Sequence, residues 1–307
     1  MVDVALIFPG QGAQAVGMGK EFYDGSAAAK AIFDQAQDTL DNDLLDVIFN
    51  GPQEKLTLTS YSQPAIVTFS VAALAALKES SKFQNINPKF TAGLSLGEYS
   101  ALIASGAFSF EDGIRLVERR GAFMEEACDI NKGTMAAVIG FDKDKLKEIC
   151  EQAGAQVANF NSPAQIVISG GIQEVEKACE LIKEAGAKTV IPLEVAGAFH
   201  SSLMSSAVDK FKAELDKITI NSLALPVVSN VKAIAETDPK AVADNLSKQI
   251  ISSVLWEDSV RFMASQGITD FIEIGPGRVL KGLIRKIDSS LKVHNIQTPE
   301  DIENLSF

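Results

Sequence analysis

Between Phe90 and Ser100 the chain reads FTAGLSLGEYS: a short apolar run, a serine bracketed by Gly93 and Gly97, then Tyr99, Leu102 and Ile103 at helical spacing. A strand that passes through so sharp a turn into a helix predicts a parallel α/β unit, because parallel neighbours need a crossover connection. The glycines leave room for strand end and helix start to meet closely. The same turn would present the Ser95 hydroxyl at a strand-to-helix elbow, with the backbone N–H of Leu96 beside it. A plain turn serine capping the next helix satisfies the same local pattern.

The rest of the chain supports an α/β reading. Val4 to Phe8 is an apolar run ended by Pro9-Gly10-Gln11-Gly12, a buried strand followed by a tight loop. Helical patterns cover Ala27 to Phe49, Gln63 to Leu77 and Glu111 to Glu126. From Met135 the style changes: strand Met135 to Phe141, helix Lys143 to Ala153, strands Gln156 to Phe160 and Gln165 to Ser169, helix Ile172 to Ala185 and strand Thr189 to Val195. That βαββαβ order is the ferredoxin-like split unit. It predicts a small α+β domain over 132–196, inserted into a larger domain built from 1–131 and 197–307. Beyond the insert the pattern predicts a helix from Ser202 to Ile218, a run Leu225 to Ser229, a helix around Ala241 to Ser252, and strand Asp270 to Ile274 leading to a helix that ends at Ile287.

Charge and composition narrow the function. A net charge of −12 argues against general binding to nucleic acid or to an anionic membrane. No basic leader opens the chain, and the apolar stretch around Val71 to Leu77 is too short to span a bilayer, so a cytoplasmic setting is expected. Cys128, Cys150 and Cys179 are odd in number and without C-x-x-C spacing, which fits a reducing compartment and no metal site. Only two histidines, His200 and His294, are available as bases for a serine. His200 lies in a loop before a helix, where the dipole favours the neutral form. His294 sits in an alternating segment that reads as a surface strand. Arg120 interrupts the apolar stripe Leu116, Val117, Phe123, Met124, and a guanidinium there needs an anionic partner. The pattern leaves open an internal salt bridge or a clamp on a substrate carboxylate. Gly10-Gln11-Gly12-Ala13-Gln14-Ala15 fits G-x-G-x-x-A, but no second strand with a terminal acid follows, so nucleotide binding is rejected.

Phe8-Pro9-Gly10-Gln11-Gly12, Gly93-Leu94-Ser95-Leu96-Gly97-Glu98-Tyr99, Arg119-Arg120-Gly121, Gly197-Ala198-Phe199-His200-Ser201, Lys248-Gln249 and Glu273-Ile274-Gly275-Pro276-Gly277 resemble, in order, motifs of the malonyl-CoA:acyl carrier protein transacylase family. The resemblance implies a hydrolase-like α/β core with a parallel sheet and helices, plus the inserted ferredoxin-like α+β domain. It implies that Ser95 is acylated, that His200 is its base, and that the N–H groups of Gln11 and Leu96 form an oxyanion hole. Arg120 would hold the malonyl carboxylate, and Gln249 would shape the site beside a histidine oriented by a backbone carbonyl. Phe199 looks like the malonyl-type version of its loop, whereas Leu94 stands where the family often has histidine. Coenzyme A enters as part of a thioester substrate, with no cofactor or metal, and acyl carrier protein is the implied partner of a monomer. Arg278, Lys281, Arg285 and Lys286 could give that acidic partner a basic surface, or simply offset their own helix dipole. Three other readings remain: a polyketide-pathway acyltransferase of the same fold, a serine α/β-hydrolase that uses His294, and a non-catalytic carrier-protein-binding module that retains the fold.

Overall fold

The computed structural model describes residues 1–307 and contains ten strands in two sheets. In chain order the strands are β1 (Val2–Phe8), β2 (Ile86–Gly93), β3 (Gly133–Ile139), β4 (Gln156–Ser162), β5 (Gln165–Gly171), β6 (Thr189–Pro192), β7 (Val227–Val228), β8 (Ala235–Glu236), β9 (Asp270–Ile274) and β10 (Lys292–Ile296). The larger sheet has the order β10-β9-β1-β2-β7-β8 and is parallel except for the β7–β8 pair. At its centre β1 is apolar at every position from Val4 to Phe8, because both faces are covered. Val4, Leu6 and Phe8 enter one core and Ala5 and Ile7 the other, as the two-residue period of a strand requires.

The helix Thr59–Glu79 runs through the larger of these cores. It begins four residues before the expected Gln63, because Leu58 O accepts from the N–H groups of both Tyr61 and Ser62 and starts the first turn early. Pro64 therefore lies inside the helix and removes a single bond, the one to Ser60 O. By length and hydropathy this helix could cross a bilayer, but 78% of its most apolar window is buried within the protein.

The smaller sheet has the order β4-β5-β3-β6 and is antiparallel throughout. Helices Lys143–Ala153 and Ile172–Glu184 cover it through Leu146, Ile149, Ala178 and Ile182. Its edge strand β4 is tied to the other unit by two backbone bonds, Phe160 N–H to Val254 O at 2.9 Å and Val254 N–H to Ala158 O at 2.8 Å. That contact brings the small sheet beside the segment that follows Gln249.

Several boundaries differ from the sequence pattern. The helical stretch from Ala27 to Phe49 breaks at Leu40–Asp43, where Asp41, Asn42 and Asp43 favour a turn, leaving helices Ala27–Thr39 and Leu44–Asn50. The segment after His200 starts as a single tight turn, Ser202–Met204, and becomes an α-helix over Ser205–Leu215. Strand β6 ends at Pro192, after which one further bond, Leu193 N–H to Met135 O, holds the chain before it leaves the sheet.

Candidate active site

Strand β2 ends at Gly93, and the helix Gly97–Ala104 begins four residues later. The turn between them is possible only without side chains at its two glycines. A Cβ on Gly93 would lie 1.9 Å from the Gly97 carbonyl carbon, and one on Gly97 would lie 2.1 Å from Phe8 O. Ser95 sits between them at φ 52°, a left-handed conformation that costs a non-glycine residue on the order of 1–2 kcal/mol. Asn230 holds it there. Its Oδ1 accepts from the Ser95 N–H at 2.7 Å while its Nδ2 donates to Gly93 O at 2.6 Å.

The elbow points the Ser95 Oγ at His200 Nε2, 2.7 Å away. His200 is itself left-handed at φ 57° and buried. Its Nδ1 lies 2.9 Å from the backbone carbonyl of Gln249. A carbonyl can only accept, so Nδ1 carries the proton and Nε2 turns its lone pair toward the serine. Burial, reinforced by the nearby Arg120 charge, lowers the His200 pKa to about 4, against an opposing contribution from the Gln249 carbonyl. The imidazole is thus neutral at physiological pH and able to take a proton.

Arg120 reaches the same point from the helix Phe110–Ile130 and is 1% exposed. Its Nη1 donates to Gln63 Oε1 at 2.8 Å, and its Nη2 to Gln249 Oε1 at 3.2 Å and Ser95 Oγ at 3.3 Å. The guanidinium also lies 5.2 Å from the centre of the Tyr99 ring. None of the chain's ion pairs includes Arg120, and its Nε is buried without a partner. The internal salt bridge left open by the sequence is not formed. What the structure holds is a buried cation whose direct hydrogen-bond partners are neutral groups, one of them the Ser95 hydroxyl.

The remaining expected residues divide. The loop that carries Gln11 packs on the elbow: a Cβ on Gly10 would lie 2.6 Å from Leu94 O, and Leu94 N–H donates to Phe8 O at 3.1 Å. The backbone N–H groups of Gln11 and Leu96 are bonded to no acceptor in the chain, as an oxyanion hole requires. Gln249 is fully buried at the end of helix Pro239–Gln249. Phe199 packs into the larger core. His294 lies elsewhere, with its Nε2 3.2 Å from Asp270 Oδ1 and its ring 4.7 Å from that of Phe307. Arg278, Lys281, Arg285 and Lys286 are exposed around the helix Val279–Ile287. A cleft of about 470 Å³ opens at His200 and is lined also by Gln156, Val157, Phe160, Ile251 and Ser253.

Three residues join the site without having been singled out in the sequence: Gln63, Asn230 and Glu98. Glu98 carried a usable signal, an acid among the apolar residues that open the Gly97–Ala104 helix. Asn230 lay outside every predicted element and carried none.

Residues 5–300 match the family model of the acyl transferase domain, and with this fold they define the chain as an acyltransferase. It is 48% identical to the malonyl CoA-acyl carrier protein transacylase of Bacillus subtilis (strain 168), with 99% of this chain and 96% of that protein aligned. MCAT from Streptococcus pneumoniae is 41% identical with a TM-score of 0.93, covering 98% of this chain and 100% of that one. A malonyl-transacylase in complex with its type II PKS acyl-carrier protein is 36% identical with a TM-score of 0.94, covering 99% and 98%. The chain belongs to the malonyl CoA-acyl carrier protein transacylase family.

Proposed function

We propose that the protein transfers a malonyl group from malonyl-CoA to the pantetheine thiol of acyl carrier protein through a malonyl-Ser95 ester, supplying fatty acid synthesis. The observation that carries this reading is the 2.7 Å contact between Ser95 Oγ and His200 Nε2, with the Arg120 guanidinium 3.3 Å from the same oxygen. Ser95 Oγ attacks the thioester carbon as His200 Nε2 takes its proton. The carbon–sulfur bond then breaks, and His200 returns the proton to the departing coenzyme A sulfur. In the second half the carrier thiol gives its proton to His200 and attacks the ester carbon, and Ser95 leaves with that proton. The N–H groups of Gln11 and Leu96 receive the oxyanion in both halves. Arg120 meets the malonyl carboxylate through the fork that includes its unpartnered Nε.

Coenzyme A is substrate here, no cofactor or metal enters the scheme, and a monomer carries the whole constellation. We place the enzyme in the cytoplasm, a reading supported by three free cysteines, two of them buried. The domain division follows the two sheets: 132–196 is an insert in a core formed by 1–131 and 197–307. Intact-mass measurement after exposure to malonyl-CoA tests the scheme. One malonyl adduct is expected, lost on addition of carrier protein and absent from Ser95→Ala. Failure to form it would overturn the proposal.

A further inference from the structure

Three residues after Ser95, the Glu98 carboxylate is buried with 4% exposure. Its Oε1 accepts from the backbone N–H of Asn230 at 3.3 Å, and its Oε2 accepts from Gln249 Nε2. These two partners hold everything else in place. Asn230 bonds the Ser95 N–H and Gly93 O. Gln249 gives its backbone carbonyl to His200, its Oε1 to Arg120 and its second Nε2 proton to Ser95 O at 3.1 Å. The amide orientation of Gln249 is thereby fixed, because Arg120 can only donate and Ser95 O can only accept. From this geometry we propose that Glu98, as a carboxylate, is a positioning residue for acyl transfer. It aligns Ser95 through Asn230, and His200 and Arg120 through Gln249.

Two donors, Asn230 N–H and Gln249 Nε2, converge on Glu98, and an ionised carboxylate accepts from both. A glutamine at this position replaces one oxygen with an –NH2 group that only donates and sets it against another donor, and a protonated glutamic acid adds an O–H between two donors and weakens its acceptance of both. Burying a charge here is costly, and Arg120 supplies the opposite charge through the Gln249 amide rather than by contact. The ionisable groups nearby are Arg120 on the neighbouring helix, His200 on its loop and Tyr99 on the same helix. Burial pushes the Glu98 pKa up to about 7, against the opposing effects of Gln249, Asn230 and Arg120. His200 gains its proton only near 4. Glu98, not the base, is therefore the group whose protonation first disturbs the site as the solution is acidified.

This inference rests on the reading of Ser95 as the acylated residue. The test is the single-turnover rate of malonyl-adduct formation, followed by intact mass from about pH 5 to about pH 9, in the unaltered protein and in Glu98→Gln. The unaltered protein is expected to lose rate as pH falls through about 7. Glu98→Gln is expected to react about 10²-fold more slowly, as misplaced groups do, and with that acid limb absent. KM for malonyl-CoA should change much less than kcat, because Glu98 touches no substrate. A folded Glu98→Gln with full rate and an unchanged acid limb would overturn the proposal. If that variant does not fold, the unaltered protein decides: a rate constant from pH 9 down to pH 5 would equally overturn it. Absence of any adduct in the unaltered protein would instead overturn the Ser95 reading, and this inference with it.

Discussion

His200 Nδ1 donates to the backbone carbonyl of Gln249 at 2.9 Å, where a Ser-His-Asp triad would place a carboxylate. A neutral acceptor fixes the tautomer without stabilising an imidazolium as strongly as an anion would. Burial and the Arg120 charge outweigh its modest upward pull and leave the histidine reluctant to hold a proton. For a transferase this is useful chemistry. On the proposed scheme the proton must be handed on to a leaving group in each half-reaction, the coenzyme A thiolate in the first and the Ser95 oxygen in the second, and a weakly held proton leaves readily.

The same depression links His200 to stability. The unfolded imidazole binds a proton near 6.5 and the folded one only near 4. Between those values the unfolded chain binds more protons, so acidification through that window favours unfolding. Melting temperatures measured between about pH 7 and about pH 4.5 should fall less for His200→Gln than for the unaltered protein. Parallel falls would show that His200 contributes nothing to the acid sensitivity of the fold.

Arg120→Ala should separate acyl groups rather than abolish chemistry. On the proposed scheme the malonyl carboxylate would lose its counter-charge, whereas an acetyl group has no carboxylate to pair with it. Malonyl transfer is expected to drop on the order of 10²-fold, with acetyl transfer changed far less. Rates with malonyl-CoA and acetyl-CoA give the comparison directly, and equal losses would make Arg120 a packing residue.

Gly97→Ala tests the elbow's construction. The added Cβ would stand 2.1 Å from Phe8 O and 2.8 Å from its carbonyl carbon, both backbone atoms of the central strand. We expect a loss of about 1–3 kcal/mol from overpacking, read as a lower urea midpoint, and a loss of activity as the elbow helix is pushed away from β1. An unchanged midpoint would mean that the elbow yields more easily than its contacts imply.

Much of the site could be read from residue types near one another in the chain. The G-x-S-x-G turn, Arg120 interrupting an apolar stripe, and the small number of histidines each carried a local chemical signal. The βαββαβ order likewise appears in full between Gly133 and Pro192. The helix Trp256–Ser265 could also have been read, since Trp256, Val260 and Met263 recur at helical spacing and all are buried. Asn230 could not. Its value comes from lying after β7, beside β2, a placement made by sheet pairing between segments 135 residues apart. Glu98 is intermediate: its burial is suggested by its neighbours, but its two donors come from residues 230 and 249.

The order of the larger sheet has a consequence for how the protein is made. Strand β1 is the first to emerge during synthesis, yet one of its two neighbours, β9, begins only at Asp270. The serine and arginine are likewise synthesised long before His200, Asn230 and Gln249 arrive to complete the site. On the proposed scheme, a nascent chain stalled before residue 249 has its nucleophile but no carbonyl to orient the base, so it would not be acylated prematurely. On that scheme the site is complete only when the C-terminal strands and helices close over the segment that carries Ser95 and Arg120.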